Sequence, residues 1–132
     1  MPTPGGTFLR ALDELSDAWS KGDDLGVRQA SEKAWLAVVE ATDSYLLAKH
    51  NISVPLDRTA HMERRKYLRA TDRGDLEVTY GHLADTLHGD VFYFGESVGK
   101  NTMRTFLEEA ADFIEQTTGV GGLQGVVQRI TV

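Results

Sequence analysis

The chain has 132 residues, of which 41% are hydrophobic and 26% are charged, and its formal net charge is −6. These values are typical of a globular protein, so we expect residues 1–132 to form a single domain. The absence of cysteine excludes disulfides, cysteine-bound zinc and thiol catalysis. The N-terminus lacks the pattern of a signal peptide, and no apolar run reaches the ~20 residues of a membrane span. We therefore expect a cytoplasmic protein that does not enter a membrane.

Helical periodicity begins near the N-terminus. Residues 1–6 hold two prolines and two glycines and are expected to be loose. From Thr7, a suitable N-cap, apolar residues recur at steps of three and four as far as Lys21, which predicts the first helix. The second helix, about Leu25 to Lys49, is the longest. Its wide apolar band and its ridge of alanines place it at the centre of a bundle.

Three further helices are predicted, which in chain order are Asp57 to about Ala70, Leu76–Val98, and one capped by Asn101 or Thr102. The glycine-rich tail, residues 119–132, is expected to form a short strand, an interface arm or a mobile segment. Short connections favour antiparallel neighbours. The sequence therefore predicts an all-α fold, an up-and-down antiparallel helical bundle of four to five helices.

The fourth predicted helix carries two histidines, His82 and His88. Six residues on an α-helix span about 600°, so the two rings should point to different faces. His88 lies beside the apolar stripe and is a candidate acid or base at a nucleotide site, or else a hydrogen-bonded histidine at the rim of the core. Asp85 and His88 have a spacing used in carboxylate-bridged metal bundles, but the second copy that those bundles need is missing. We expect no metal and no cofactor.

The third predicted helix carries a basic stripe of arginines, Arg58, Arg65 and Arg69, with His61 or Met62 at the same helical spacing. Between Asp57 and Arg73, six Lys or Arg stand against three acids. A stripe of this kind suits phosphate, RNA or an acidic partner, or else it is a solvated face that balances acidic neighbours. No glycine-rich phosphate loop and no serine nucleophile motif accompanies it.

Two short segments give the chain a resemblance to a known family. They read RQASEKAWLA at 28–37 and ADTLHGDVFY at 84–93. With the order of the helices, they resemble the HEPN superfamily (higher eukaryote and prokaryote nucleotide-binding), in particular its small archaeal-type stand-alone members. The resemblance implies an all-α up-and-down bundle that is usually a homodimer. Many members are ribonucleases or toxins paired with a nucleotidyltransferase-like antitoxin, so the resemblance also implies such a partner.

Catalytic members of that superfamily use an arginine and, four to six residues later, a histidine. His88 matches the histidine, but the expected arginine positions hold Gly81, His82 and Leu83. A histidine is only partly charged at neutral pH and replaces a permanent cation poorly. We therefore expect a non-catalytic HEPN-like protein that binds a nucleotide, RNA or a partner protein. The residues expected to form its site are Arg58, Arg65, Arg69, His82, His88 and Tyr93. The alternative is a metal-independent endoribonuclease that uses His88, assisted by His82 or by an arginine of the basic stripe.

Overall fold

The computed structural model describes residues 3–131, and all regular secondary structure in that range is helical. The elements are α1 (Pro4–Lys21), α2 (Asp24–His50), α3 (Ala60–Ala70), α4 (Gly74–Leu83), α5 (Lys100–Thr118) and α6 (Leu123–Ile130). α4 continues without a break as a π-helix, Ala84–Tyr93, which we call the π segment. The predicted all-α bundle is confirmed, with one α-helix more than the five expected. Within residues 3–131, no helix is long and apolar enough to cross a membrane.

Helix α2 occupies the centre, where it packs against α1, α5 and the π segment. Its alanine ridge is almost fully buried and consists of Ala30, Ala34, Ala37 and Ala41. Small side chains let neighbouring helices approach closely, which is why this helix can be contacted on several sides. One cluster of buried apolar side chains joins all six helices and the π segment.

The N-terminal end of α1 differs from its prediction. Thr3, not Thr7, caps the helix, and its hydroxyl oxygen accepts the N–H of Gly6 at 3.0 Å. Pro4 takes the first helical position, where its missing N–H costs nothing. Residues 3–6 are therefore helical or capping and not loose, whereas the first two residues lie outside the described range.

Two other helices also begin away from their predicted starts. Asp57 accepts hydrogen bonds from Thr59 in a turn, and α3 begins only at Ala60. Arg58 is thus outside the helix whose stripe it was expected to join. Helix α5 follows Gly99 and has no side-chain cap, so neither predicted capping residue is used.

The short strand expected in the tail does not form, because Leu123–Ile130 is the helix α6. This helix buries Leu123 and Val127 against α1 and α5. Apolar residues four apart share one face of a helix, so the β-branched composition of the tail was outweighed by packing.

The fourth predicted helix changes form after Leu83. Hydrogen bonds then join residues five apart, as between the Phe94 N–H and the Gly89 carbonyl at 2.9 Å. The predicted α-helix to Val98 is therefore wrong in its second half. Its apolar stripe is buried as far as Val91, whereas Phe94 is 73% exposed. Long π-helical stretches are rare, and π-helical geometry recurs at functional sites.

Two side chains of α2 hold the π segment in place. The buried hydroxyl of Ser31 donates to the Leu87 carbonyl at 2.8 Å. Arg28 donates from Nε and Nη2 to the Phe92 carbonyl, at 3.0 and 2.8 Å, at the last turn. Gly95 follows with a φ of +66°, and a Cβ there would lie only 3.0 Å from the Arg28 guanidinium. Glycine thus permits both the left-handed turn and the close approach of this arginine.

Candidate functional site

A groove of about 660 Å³ opens between α2, α3 and the π segment. Its size falls in the range of small-ligand sites. The side chains that give it chemistry are Trp35, His61, Arg64, Asp85, His88, Asp90, Tyr93 and Phe94. Trp35 is 8% exposed and forms the interior of the groove, whereas Tyr93 and Phe94 are 68% and 73% exposed at its edge.

His88 is fixed in the groove by Glu32 of α2. Its Nδ1 lies 2.8 and 2.9 Å from the two carboxylate oxygens. The ring stacks on Phe92 with the centroids 6.0 Å apart, and it lies 6.0 Å from the ring of Trp35. A carboxylate only accepts hydrogen bonds, so Nδ1 carries a proton, and Nε2 is the atom left to interact with a ligand.

A second imidazole, His61 of α3, also faces the groove. Its Nδ1 lies 3.1 Å from the hydroxyl of buried Tyr80, and the two rings stack with centroids 5.3 Å apart. Partial burial lowers the pKa of His61, and the charges of Arg65 and Arg64 lower it further. His61 is therefore neutral at pH 7. Burial raises the pKa of Tyr80, which keeps its hydroxyl protonated.

Arg64 supplies a permanent cation on the groove wall. Its Nε and Nη2 donate to the two oxygens of Asp43 at 2.7 and 3.0 Å, and the residue is 9% exposed. Burial acts to lower the pKa of Arg64, but the hydrogen bonds and the charge of Asp43 outweigh it and raise the pKa. The bidentate pair holds the guanidinium rigidly and balances its charge.

Of the six residues predicted to form the site, the structure brings only His88 and Tyr93 to the groove. His82 lies on another side of the bundle, where its Nδ1 is 2.6 Å from Oε2 of Glu109 on α5. The expectation that the two histidines occupy different faces is confirmed. The structure does not place His82 beside His88 as an assisting group.

The predicted basic stripe adjoins the groove without lining it. Arg65 and Arg69 both donate to Oε1 of buried Glu77, at 3.0 and 2.9 Å. Hydrogen bonds from Arg69 and Arg65 lower the pKa of Glu77, so its charge offsets part of theirs. The Arg65 guanidinium rests over Gly81, where a Cβ would lie 3.2 Å away. Arg58 is exposed in the turn before α3.

Two groove residues, His61 and Arg64, lie outside segments 28–37 and 84–93 and carry no motif that sequence reasoning could use. The available signal was spacing. His61 and Arg64 are three residues apart on α3, as Glu32 and Trp35 are on α2, so each pair shares a helix face. Only the packing of α3 and the π segment around α2 shows that these faces meet.

Comparisons of the chain with protein-family models, with curated proteins and with solved structures find no match. In the part of the chain that the structure describes, no group of three or more His, Asp or Glu side chains is placed to hold a metal ion. The chemistry of the groove has to be inferred from its own side chains.

Proposed function

We propose that this chain is a HEPN-like binding module whose groove receives a base of a nucleotide or of single-stranded RNA. The observation that carries the proposal is His88, whose Nδ1 is held by Glu32 while its ring lies against Phe92 and near Trp35. Nε2 is then oriented for a hydrogen bond to the ligand. The exposed rings of Tyr93 and Phe94 offer stacking surfaces, and stacking is worth about 1–3 kcal/mol per base.

The phosphates of a bound strand would follow the basic stripe on α3. Arg65 directly follows the groove residue Arg64 on α3, and its charge lowers the pKa of His61, so the stripe adjoins the groove. Glu77 offsets part of the stripe's charge, and the whole chain carries −6. We therefore expect only two or three phosphate contacts. Each contact on a single strand contributes about −0.7 to the slope of log affinity against log salt.

A binding experiment with matched variants tests the groove. We expect fluorescein-labelled heptauridylate to bind the wild type, and His88→Ala to weaken binding about tenfold, close to the loss of one base contact. His82→Ala is the matched control, because both side chains are about half exposed and both pair with a glutamate through Nδ1. Fluorescence anisotropy measures the affinities. Equal effects of the two variants, or no binding by the wild type, would contradict the proposal.

The stripe is tested separately by salt titration. Arg65→Gln should make the salt slope shallower by about 0.7, because one phosphate contact is lost. Arg10→Gln removes the same charge from an exposed position on α1 and should leave the slope unchanged. An unchanged slope in Arg65→Gln would mean that the strand does not follow α3.

A metal-independent endoribonuclease is the second candidate, and the Glu32–His88 pair favours it. In such a reaction a base takes the proton of the 2′-hydroxyl, whose oxygen attacks the adjacent phosphorus, and an acid protonates the departing 5′-oxygen. His88 offers Nε2 for one of these transfers, and Arg64 offers charge stabilisation. Cleavage of mixed RNA in EDTA by the wild type, but not by His88→Ala, is the expected result. Absence of cleavage in both would reject this candidate.

We further propose that the chain forms a homodimer and pairs with a nucleotidyltransferase-like partner. The support for both is the resemblance of segments 28–37 and 84–93 to HEPN proteins. Light scattering should give twice the 14.6 kDa of one chain, and a mass of 14.6 kDa would contradict the dimer.

A further inference from the structure

Two aspartates of the π segment, Asp85 and Asp90, line the groove, and their carboxylates do not take part in the hydrogen bonds that hold its other side chains in place. The other acids nearby are engaged, since Glu32 accepts from His88 and Asp43 accepts from Arg64. Within residues 3–131, neither Asp85 nor Asp90 uses its carboxylate in a hydrogen bond or an ion pair with another residue. The groove thus presents hydrogen-bond acceptors beside aromatic surfaces.

The two aspartates differ in their surroundings. Asp85 is exposed and lies close enough to His61 for its charge to act on that imidazole. Asp90 is half-buried and lines the groove together with Gly89 and the edge residue Tyr93. A carboxylate that is partly removed from water discriminates more strongly between donors and acceptors, because an unmatched group beside it stays desolvated and unpaired.

The chemistry of the bases decides what such a carboxylate would select. Its two oxygens only accept hydrogen bonds, and they match two adjacent N–H donors in one plane. Guanine presents that pair, N1–H and the N2 amino group, on its Watson–Crick edge. Adenine and cytosine each present one amino group beside a ring nitrogen that accepts, and uracil presents one N–H between two carbonyl oxygens.

We propose that the groove selects guanine, with Asp90 as the acceptor of N1–H and N2–H and with the base stacked against the aromatic side chains. The proposal rests on the proposed function, because it names the base that the groove takes. Stacking on the exposed rings of Tyr93 or Phe94 tolerates any base, so we assign the selectivity to the carboxylate. Asp90 is thus a specificity-determining residue, and His88 contributes to affinity for every base.

The test uses labelled heptamers that differ only at the central base, UUUNUUU with guanine, inosine, adenine or cytosine. The wild type should bind the guanine heptamer about tenfold more tightly than the adenine or cytosine heptamer, which is within the range of one bidentate contact. The inosine heptamer, which keeps N1–H and lacks the N2 amino group, should fall between them. Equal affinities for the four heptamers would overturn the proposal without any variant.

Substitutions then assign the selectivity to one side chain. Asp90→Asn should abolish the preference for guanine, whereas Asp85→Asn should keep it. Asp13→Asn removes the same charge from an exposed position on α1 and controls for the general gain in RNA affinity when an acidic protein loses a charge. The ratio of guanine to adenine affinity is therefore the readout. If Asp85→Asn abolishes the ratio and Asp90→Asn keeps it, the assignment to Asp90 is wrong.

The same data separate this inference from the proposed function. If every heptamer binds with equal affinity and all depend on His88, the binding module stands and guanine selection fails. If none binds, or if His88→Ala leaves all affinities unchanged, the proposed function itself fails and guanine selection fails with it.

Discussion

Two histidines six residues apart occupy regions of this molecule that look alike at short range. His82 and His88 each place Nδ1 on a glutamate of a neighbouring helix, at 2.6 Å on Glu109 and at 2.8 and 2.9 Å on Glu32. Their side chains are 50% and 44% exposed. Each also has an aromatic neighbour, Phe106 at 6.3 Å for His82. A histidine–carboxylate pair therefore does not by itself mark a functional site.

The surroundings beyond the pair distinguish the two regions. His82 lies in the last turn of α4, whereas His88 lies in the π segment and faces a groove shared with His61, Arg64 and Asp90. The backbone changes from α-helical to π-helical after Leu83, where the groove-lining residues of this helix begin. A functional site in this molecule therefore requires a groove and side chains that converge on it from three elements. The His82 region is an internal control for the groove.

Removing the aromatic ring beside each histidine should produce the largest difference in unfolding free energy between the two regions. Trp35→Ala deletes a buried ring that contacts His61, Tyr80 and His88, and we expect it to cost about 3–5 kcal/mol of unfolding free energy. Phe106→Ala should cost less, because Phe106 is only partly buried. Urea unfolding measures both. Similar losses in the two variants would show that the groove is no better packed than the His82 region.

The next comparison is between two hydroxyl groups, one that donates to a carbonyl of the π segment and one that donates to a carbonyl of α4. Ser31→Ala removes the hydrogen bond from α2 to the Leu87 carbonyl, and we expect a loss of about 1–3 kcal/mol with a shift of the His88 resonances in NMR spectra. Thr86→Val removes a hydroxyl that donates locally to the His82 carbonyl at 3.0 Å and should cost less. A larger loss in Thr86→Val would mean that α2 does not hold the π segment.

The groove should also make stability depend on pH through His61. Partial burial and the charges of Arg65 and Arg64 lower the pKa of His61 in the folded chain. On the π segment, His88 lowers this pKa further and Asp85 raises it. The folded state then binds fewer protons at His61 than the unfolded state does. The stabilising contribution is complete above the unfolded value of about 6.5 and is lost as pH falls through the lower folded value.

His61→Phe keeps a ring against Tyr80 and Trp35 but cannot titrate. Urea midpoints measured from pH 8 to pH 5 should therefore fall less steeply in the variant than in the wild type, because the carboxylates contribute equally to both. Parallel profiles for the two proteins would show that His61 is not held neutral by the fold.

The sequence predicts the frame of the molecule better than its site. Spacing of apolar residues predicts α2 as the central helix and the burial of Leu76 to Val91, because these features depend on local periodicity. The π segment was missed because the same reasoning assumes an α-helical repeat, and the bonds from Ser31 and Arg28 that hold it come from 56 to 64 residues away.

The site was predicted in part for the same reason. His88 and Tyr93 stand in one short segment and could be selected together, whereas His61 and Arg64 reach the groove from α3, and Glu32 of α2 pairs with His88. The basic stripe was predicted from Arg58, Arg65 and Arg69, of which Arg65 and Arg69 share a face of α3 whereas Arg58 precedes the helix. The compensation of the stripe by Glu77 depends on how α3 packs on α4, which spacing does not reveal.

The smallest expected effect is a change of tautomer that leaves stability almost unaltered. At a pH where both imidazoles are neutral, each glutamate should hold its histidine with the proton on Nδ1, because a carboxylate can only accept. Glu32→Ala should return His88 to the mixture of tautomers found in water and leave His82 unchanged, and Glu109→Ala should do the reverse. Long-range 15N–1H NMR correlations report the tautomer of each ring. If Glu32→Ala leaves His88 in the Nδ1–H form, then other groups in the groove orient this ring. The two histidine–glutamate pairs would then be alike in geometry only.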